Sequence, residues 1–233
     1  MNRYSYQTRY GDYKNFEEIK PTALLDIIQD VSIQDSTRAG YSIHTLRDMN
    51  RAWLMQGINV RLEKPISTKM PLTVSTGVKA FRGSTSERCC IVEQGGEVVA
   101  RTVANWFLID VAKTRVIWIP PEILAAYEVG GFEEEFFSYQ KPELYEAEAA
   151  YTVKVSNKEI DTNSHLNNQR AAELLLDAIP FDFSFNDMKL LYKKAAYLGD
   201  TLEVCIKETG HGYFVKLQTE EKDLCVAGTF ENL

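Results

Sequence analysis

The sequence predicts the same order of secondary-structure elements in each half of the chain: a strand, a helix and then four further strands. The leading strand-like segments are residues 4–10 and 151–156. The runs after the helices are 53–63, 72–81, 86–93 and 98–109 in the first half, and 188–197, 202–209, 213–220 and 224–230 in the second. Runs such as 72–81 alternate apolar and polar residues, which is the period of a strand with one buried face. A repeated order of elements within 233 residues indicates two similar domains.

Each half contains one helix whose apolar residues recur at i, i+3, i+4 and i+7, the spacing of one helical face. In the first half these residues are Leu24, Ile27, Ile28 and Val31. In the second half they are Ala171, Leu174, Leu175 and Ala178. Pro21 near the start and Gly40 after the end predict a first helix over 21–39. The second helix is predicted to end at about Ala178.

One apolar helix beside an antiparallel meander buries both surfaces when the sheet curls around the helix. The pattern therefore predicts an α+β fold of two tandem hotdog units, each a curled antiparallel sheet wrapped around a central helix. The predicted units are residues 1–125, taken as substrate-binding, and 150–233, which holds the candidate catalytic segment. Residues 126–149, including Glu133–Glu135, carry no clear strand or long-helix pattern and are interpreted as a linker.

Charge and hydropathy exclude several classes of function. A net charge of −7 argues against a general nucleic-acid binder, because phosphate neutralisation requires clustered Lys and Arg. No apolar run of membrane-spanning length and no secretory signal at the N-terminus is present, so we expect no membrane span and a cytoplasmic location. The four cysteines lack zinc spacing and lie in strand-like runs, which predicts buried thiols at Cys89, Cys90, Cys205 and Cys225.

The segment Asp161–Asn168 concentrates one histidine, one aspartate and three asparagines in eight residues directly before the second helix. One interpretation is purely structural, since Asn and Asp before a helix satisfy its first free N–H groups. That explanation leaves out His165, which has no capping role. His44 and His211 are predicted to be exposed, and the corresponding loop of the first half contains no histidine. One candidate chemical site for the whole chain follows.

This segment, Asp161-x-Asn163-x-His165-x-Asn167-Asn168, followed by residues 174–178, resembles the active-site segment of the acyl-acyl-carrier-protein (acyl-ACP) thioesterases of plant plastids and bacteria. Residues 24–31, 53–61 and 104–110 resemble a helix and two strands of that family's first domain. The resemblance covers nearly the whole chain and implies tandem hotdog domains. It also implies a fatty acid biosynthesis enzyme that hydrolyses acyl-ACP to free fatty acid without metal or organic cofactor.

The resemblance assigns catalytic roles to Asp161, Asn163 and His165. A histidine with an ordinary pKa of about 6.5 can act as general base near neutral pH. Asp161 would orient the base or polarise the water, and Asn163 would donate to the water or to the thioester carbonyl. Backbone N–H groups after Asn167 would face the oxyanion, which makes Asn167 and Asn168 candidate substrate-binding residues.

Leu24 and Ile28 are candidates to line an acyl tunnel, although ordinary core packing explains each of them equally well. The partner implied by the resemblance is an acyl carrier protein bearing a fatty acyl thioester. Because that carrier is acidic, we expect basic residues to dock it, with candidates at Arg170, Lys189, Lys193 and Lys194. Monomer and homodimer are both compatible with a tandem chain.

The sequence departs from the family pattern at one place. A Glu commonly found after the helix is Ala195 here, and the following position, Cys in many plant members, is Ala196. No carboxylate or thiol can act there, so catalysis is expected to rest on Asp161, Asn163 and His165. The alternatives left open are an acyl-CoA thioesterase and a non-catalytic hotdog protein that binds acyl thioesters.

Overall fold

A computed structural model describes residues 1–131 and 136–233 and divides the chain into two compact units. The first comprises residues 1–58 and 62–139, and the second comprises 59–61 and 140–233. The acidic run Glu133–Glu135 of the predicted linker lies outside the described residues.

The first nine elements are β1 (Asn2–Tyr6), α1 (Ala23–Arg38), α2 (Ile43–Asp48), β2 (Arg51–Leu62), β3 (Leu72–Arg82), β4 (Thr85–Gln94), β5 (Glu97–Asp110), β6 (Arg115–Val116) and α3 (Pro121–Ala126). The remaining six are β7 (Glu148–Lys154), α4 (Asn168–Leu176), β8 (Asp187–Tyr192), β9 (Thr201–Glu208), β10 (Gly212–Gln218) and β11 (Leu224–Glu231). Two 3-10 turns, Tyr10–Asp12 and Asn157–Glu159, precede α1 and α4 respectively.

The first unit places its strands in the order β1-β3-β4-β5-β2, with β6 beside β5. The β1–β3, β3–β4 and β4–β5 pairs are antiparallel. Helix α1 packs against β1 and β3. Its predicted apolar face is confirmed, because all four residues of that face are at most 1% exposed: Leu24, Ile27, Ile28 and Val31. Burying side chains of this size contributes about 1.5–3 kcal/mol each.

The second unit has the order β8-β11-β10-β9-β7, with every neighbouring pair antiparallel. Helix α4 packs against β10 and β11. Its predicted apolar face is confirmed in part, because Ala171 and Leu175 are buried whereas Leu174 and Ala178 are half-buried. One sheet packed on one long or medium helix in each unit confirms the predicted α+β hotdog fold.

Helix α4 ends at Leu176, two residues before the predicted end. The next two backbone hydrogen bonds span three residues instead of four. Ala178 N–H donates to Leu175 C=O, and Ile179 N–H donates to Leu176 C=O. Pro180 explains the stop, because a proline has no N–H to donate to the carbonyl four residues earlier, here that of Leu176, and its ring clashes with that carbonyl.

Two short helices and one early strand end also differ from the sequence interpretation. Residues 43–48 and 121–126 are short helices for which the sequence pattern predicted no element, and His44 lies in the first of them, α2. Strand β8 stops at Tyr192 instead of continuing to 197, because Lys193 N–H and Lys194 N–H both donate to Cys225 C=O, at 2.9 and 3.3 Å. Because one carbonyl accepts both N–H groups, the regular pairing of β8 with β11 ends at this point, and residues 193–200 form a loop.

Strand β2 also departs from simple alternation. Alternation along residues 53–63 places Leu54 on the same side as Ile58 and Asn59 on the opposite side, yet Leu54 is 50% exposed and Asn59 is 2% exposed. The Asn59 side chain donates to Gln140 C=O at 2.8 Å and accepts from Gln140 N–H at 2.6 Å. These two bonds satisfy the amide, which permits its burial.

Part of the segment interpreted as a linker packs on the first unit. Phe136 is 7% exposed and contacts the fully buried Cys89 and Val103. Lys79 Nζ donates to the carbonyls of Phe136 and Phe137, at 3.0 and 3.2 Å. In both described ranges, each helix is too short or too polar to cross a bilayer.

Candidate active site

The loop before α4 closes on itself through backbone hydrogen bonds. Ile160 and Leu166 form an antiparallel bridge, and Asp161 N–H donates to His165 C=O at 2.8 Å. Ser164 N–H donates to Asp161 C=O at 3.1 Å. Ser164 has φ of 64°, in the left-handed region that a chain reversal of this size requires. The loop is therefore a defined turn.

The Asp161 carboxylate organises the interior of this loop. Its Oδ1 accepts from Asn163 N–H at 2.8 Å and from His165 N–H at 3.2 Å. Its Oδ2 accepts from the Asn163 side-chain amide at 3.4 Å. The carboxylate thus reaches His165 through the backbone, and it brings the three predicted catalytic residues into one hydrogen-bonded turn.

His165 is half-buried, whereas His44 and His211 are exposed as predicted. The His165 ring lies edge-on to the Tyr197 ring, with 5.0 Å between centroids and an interplanar angle of 83°. Leu166 N–H donates to Ala196 C=O at 2.8 Å and joins this loop to residues 193–200. The imidazole consequently stands between two loops.

Asn167 caps α4, as the structural interpretation of this segment required. Its Oδ1 accepts from Gln169 N–H at 2.8 Å and from Arg170 N–H at 3.2 Å. Those two donors are therefore occupied. The N–H of Asn168, the first residue of α4, has no acceptor within the described part of the chain. Tyr192 Oη donates to Asn168 C=O at 3.1 Å and holds this end of the helix against β8.

The cysteines are buried, which confirms the prediction for all four thiols. Burial raises the pKa of each thiol. A buried thiol with a raised pKa carries little thiolate near neutral pH, and the thiolate is the nucleophile. Residues 195 and 196 are both alanines, so neither position supplies a carboxylate or a thiol. In the ranges that the structure describes, no cluster of three or more His, Cys, Asp or Glu could hold a metal ion.

The other predicted binding residues lie elsewhere. Leu24 and Ile28 are fully buried on α1 of the first unit, and their contact with an acyl chain stays a prediction.

Three of the four basic docking candidates are ion-paired within the chain. Arg170 pairs with Glu173 at 2.6 Å, Lys189 with Asp187 and Glu231 at 3.3 Å, and Lys194 with Asp223. Lys193 is exposed, with no ion pair to any described residue.

Sequence reasoning missed Tyr197 as a neighbour of His165. It fell within a run interpreted as strand 188–197, where alternation gives no sign of a loop. The Gly199-Asp200 turn signal two residues later marks the place where the chain reverses, and Gly199 has φ of 90°. That signal could have placed the end of the strand earlier.

Comparison with known proteins gives two family matches. The family model for the acyl-ACP thioesterase N-terminal domain matches residues 1–127, and the one for the C-terminal domain matches 141–228. A crystal structure of an acyl-ACP thioesterase from Bacteroides thetaiotaomicron superposes with a TM-score of 0.87 at 16% identity, covering 99% of this chain and 96% of that chain. The 12:0-ACP thioesterase from Umbellularia californica gives 0.83 at 15% identity, with coverages of 99% and 96%. A search of curated protein sequences finds no match.

Proposed function

The chain belongs to the acyl-ACP thioesterase family, and we propose that the loop from Asp161 to His165 is its catalytic centre. Its activity is hydrolysis of acyl-ACP to a free fatty acid and the carrier thiol. The observation that carries the proposal is the hydrogen-bonded turn that joins the Asp161 carboxylate to Asn163 and to the backbone of the half-buried His165. The exposed His44 and His211 stand in no comparable arrangement.

In this proposal His165 acts as general base and then as general acid. Its imidazole takes a proton from water while the water oxygen bonds to the thioester carbonyl carbon. The carbonyl π electrons move to oxygen and form a tetrahedral oxyanion. When that intermediate collapses, the C–S bond breaks, and the imidazolium returns its proton to the departing thiolate. The products are the carboxylic acid and the thiol, and no covalent enzyme intermediate is formed.

Asn163 and Asp161 have different tasks. The side chain of Asn163 is exposed, and its amide carries a second N–H that can donate to the water or to the carbonyl. Asp161 already accepts three hydrogen bonds within the loop. We assign it the placement of Asn163 and of the His165 backbone, rather than direct contact with the imidazole.

The oxyanion donor we assign is the N–H of Asn168. Gln169 and Arg170 N–H groups bond to the Asn167 cap, whereas the Asn168 N–H stands without an acceptor at the positive end of α4. A preorganised donor of this kind contributes about 3–4 kcal/mol to transition-state stabilisation. Asn167 supports the site by holding the first turn of the helix.

The wider setting is part of the same proposal. We place the enzyme in the cytoplasm, in fatty acid biosynthesis, with the acyl chain contacting the α1 face that contains Leu24 and Ile28. Lys193 is our docking candidate for the acidic carrier, because it is exposed and free of an ion pair among the described residues. Assembly into a homodimer is compatible with this function but not required by it.

The test is hydrolysis by His165→Ala, with His211→Ala as the matched control, on acyl thioesters of ACP and of CoA with the same chains. We expect His165→Ala to lower kcat at least about 100-fold, because general acid–base catalysis contributes roughly 10²–10⁴-fold. His211→Ala should match the parent enzyme. Activity close to the parent in His165→Ala would remove this loop from the mechanism. A strong preference for the CoA thioesters would overturn the assignment of ACP as the working carrier.

A further inference from the structure

The loop after β8 is anchored beside the catalytic loop and presents an aromatic ring to it. Leu166 N–H donates to Ala196 C=O at 2.8 Å, which ties the two loops together at the residues next to His165 and Tyr197. The two rings then meet at 5.0 Å in an edge-to-face arrangement. Edge-to-face contact is the geometry that attracts aromatic rings through their quadrupoles.

The backbone that carries Tyr197 is fixed on both sides. Tyr197 N–H donates to Asp200 Oδ2 at 2.8 Å, and Asp200 N–H donates to Tyr197 C=O at 3.1 Å. Gly199 N–H and Val155 C=O are 2.9 Å apart, as are Val155 N–H and Asp200 C=O. This turn is therefore attached to the chain that leaves β7, and the fold fixes the backbone that carries the Tyr197 ring, although the residue is 52% exposed.

Among the residues that the structure describes, the His165 imidazole has no other orienting partner of comparable geometry. The Asp161 carboxylate accepts its three hydrogen bonds from Asn163 and from the His165 backbone N–H. Across residues 1–131 and 136–233, no hydrogen bond reaches a ring nitrogen of His165. A general base works best when a third group fixes its orientation.

We propose that Tyr197 is a positioning residue that orients the His165 imidazole toward the attacking water. This inference rests on the catalytic role proposed for His165. The contact with the imidazole is made by the aromatic ring of Tyr197. The tyrosine hydroxyl is therefore not needed to orient His165, and a side chain without an aromatic ring cannot replace tyrosine in this role. Tyr197 does not exchange a proton with the substrate.

The experiment compares Tyr197→Phe, Tyr197→Leu and Tyr197→Ala with the parent, and Phe181→Ala serves as the control for loss of an exposed aromatic ring, at 91% exposure. We expect Tyr197→Phe to keep most of the activity. Tyr197→Leu and Tyr197→Ala should lower kcat by about two- to tenfold with little change in KM, since an aromatic pair of this kind is worth at most about one order of magnitude. Thermal unfolding of each variant establishes that it is folded.

Proton NMR of the imidazole provides a readout that does not depend on activity. The Hδ2 and Hε1 resonances of His165, assigned with His44→Gln and His211→Gln variants, should move in Tyr197→Leu and Tyr197→Ala and stay in place in Tyr197→Phe. Unmoved resonances, or a full kcat in folded Tyr197→Ala, overturn the positioning role. Full activity in His165→Ala overturns the proposed function instead, so the two failures are distinct.

Discussion

At the scale of single residues, the polar side chains of the candidate site mostly accept hydrogen bonds from nearby backbone N–H groups. Asp161 and Asn167 both look like reactive groups in the sequence, yet each satisfies two backbone N–H donors near the start of α4. Such short polar side chains bond readily to nearby main chain, which is why they recur in turns and caps. The His165 side chain differs from these two, because it makes no hydrogen bond to any residue in the described part of the chain and packs against Tyr197 instead.

This division of labour predicts that Asp161→Asn is tolerated better than Asp161→Ala. Asn keeps an acceptor oxygen at Oδ1 for the N–H groups of Asn163 and His165, whereas Ala removes the acceptor of both hydrogen bonds, which contribute about 0.5–1.5 kcal/mol each. We expect kcat/KM of Asp161→Ala to be at least about tenfold lower than that of Asp161→Asn. Steady-state kinetics measure the ratio. Equal losses in the two variants would mean that the negative charge itself acts on the water or on the imidazole.

At the scale of elements, local signals placed the long helices and most strands, and they failed where elements are short. Helices α2 and α3 each have six residues, too few for an apolar period to show. Their starts are nevertheless marked: Ser42 Oγ accepts from Thr45 N–H at 3.1 Å, and Pro121 occupies the first position of α3. Capping chemistry is therefore the better guide to helices of this length.

The cap of α4 gives a measurable consequence. Asn167→Ala removes the acceptor for two N–H groups and should lower the free energy of unfolding by about 1 kcal/mol, while Asn167→Asp should keep it near the parent value. Urea unfolding followed by circular dichroism measures the difference. A loss in Asn167→Asp as large as that in Asn167→Ala would show that the side chain does more than cap the helix.

At the scale of the whole molecule, the two halves share an order of elements but differ in the polar residues they bury. The second unit carries the histidine loop. The first unit buries an ion pair between Asp35 of α1 and Arg88 of β4, 2.6 Å apart and with side chains 5% and 7% exposed. Arg88 also donates to Thr76 Oγ1 at 3.3 Å, and its guanidinium lies 5.8 Å from the centre of the Tyr127 ring. The repeat is thus one of architecture and not of chemistry.

Breaking that ion pair should be more damaging than replacing it. Asp35→Ala leaves the Arg88 charge buried without its counterion and should lower the free energy of unfolding by about 3–5 kcal/mol. The double variant Asp35→Leu with Arg88→Met removes both charges, and we expect it to be more stable than Asp35→Ala. Denaturant unfolding of the three proteins makes the comparison. A cost below about 1 kcal/mol for Asp35→Ala would show that water reaches the guanidinium.

The sequence alone determined the tandem hotdog fold, the buried face of α1, the Ala171 and Leu175 part of the α4 face, the burial of the cysteines and the segment that holds His165. These features follow from periods, punctuation and residue types that are local to the chain. Tertiary structure decided which polar groups meet across large sequence separations: Asp35 with Arg88, Asn59 with Gln140 and His165 with Tyr197. Strand alternation predicts only which side of the sheet a residue faces. Which residue it meets depends on where each strand ends: because β8 ends at Tyr192, Tyr197 lies in the following loop and contacts His165.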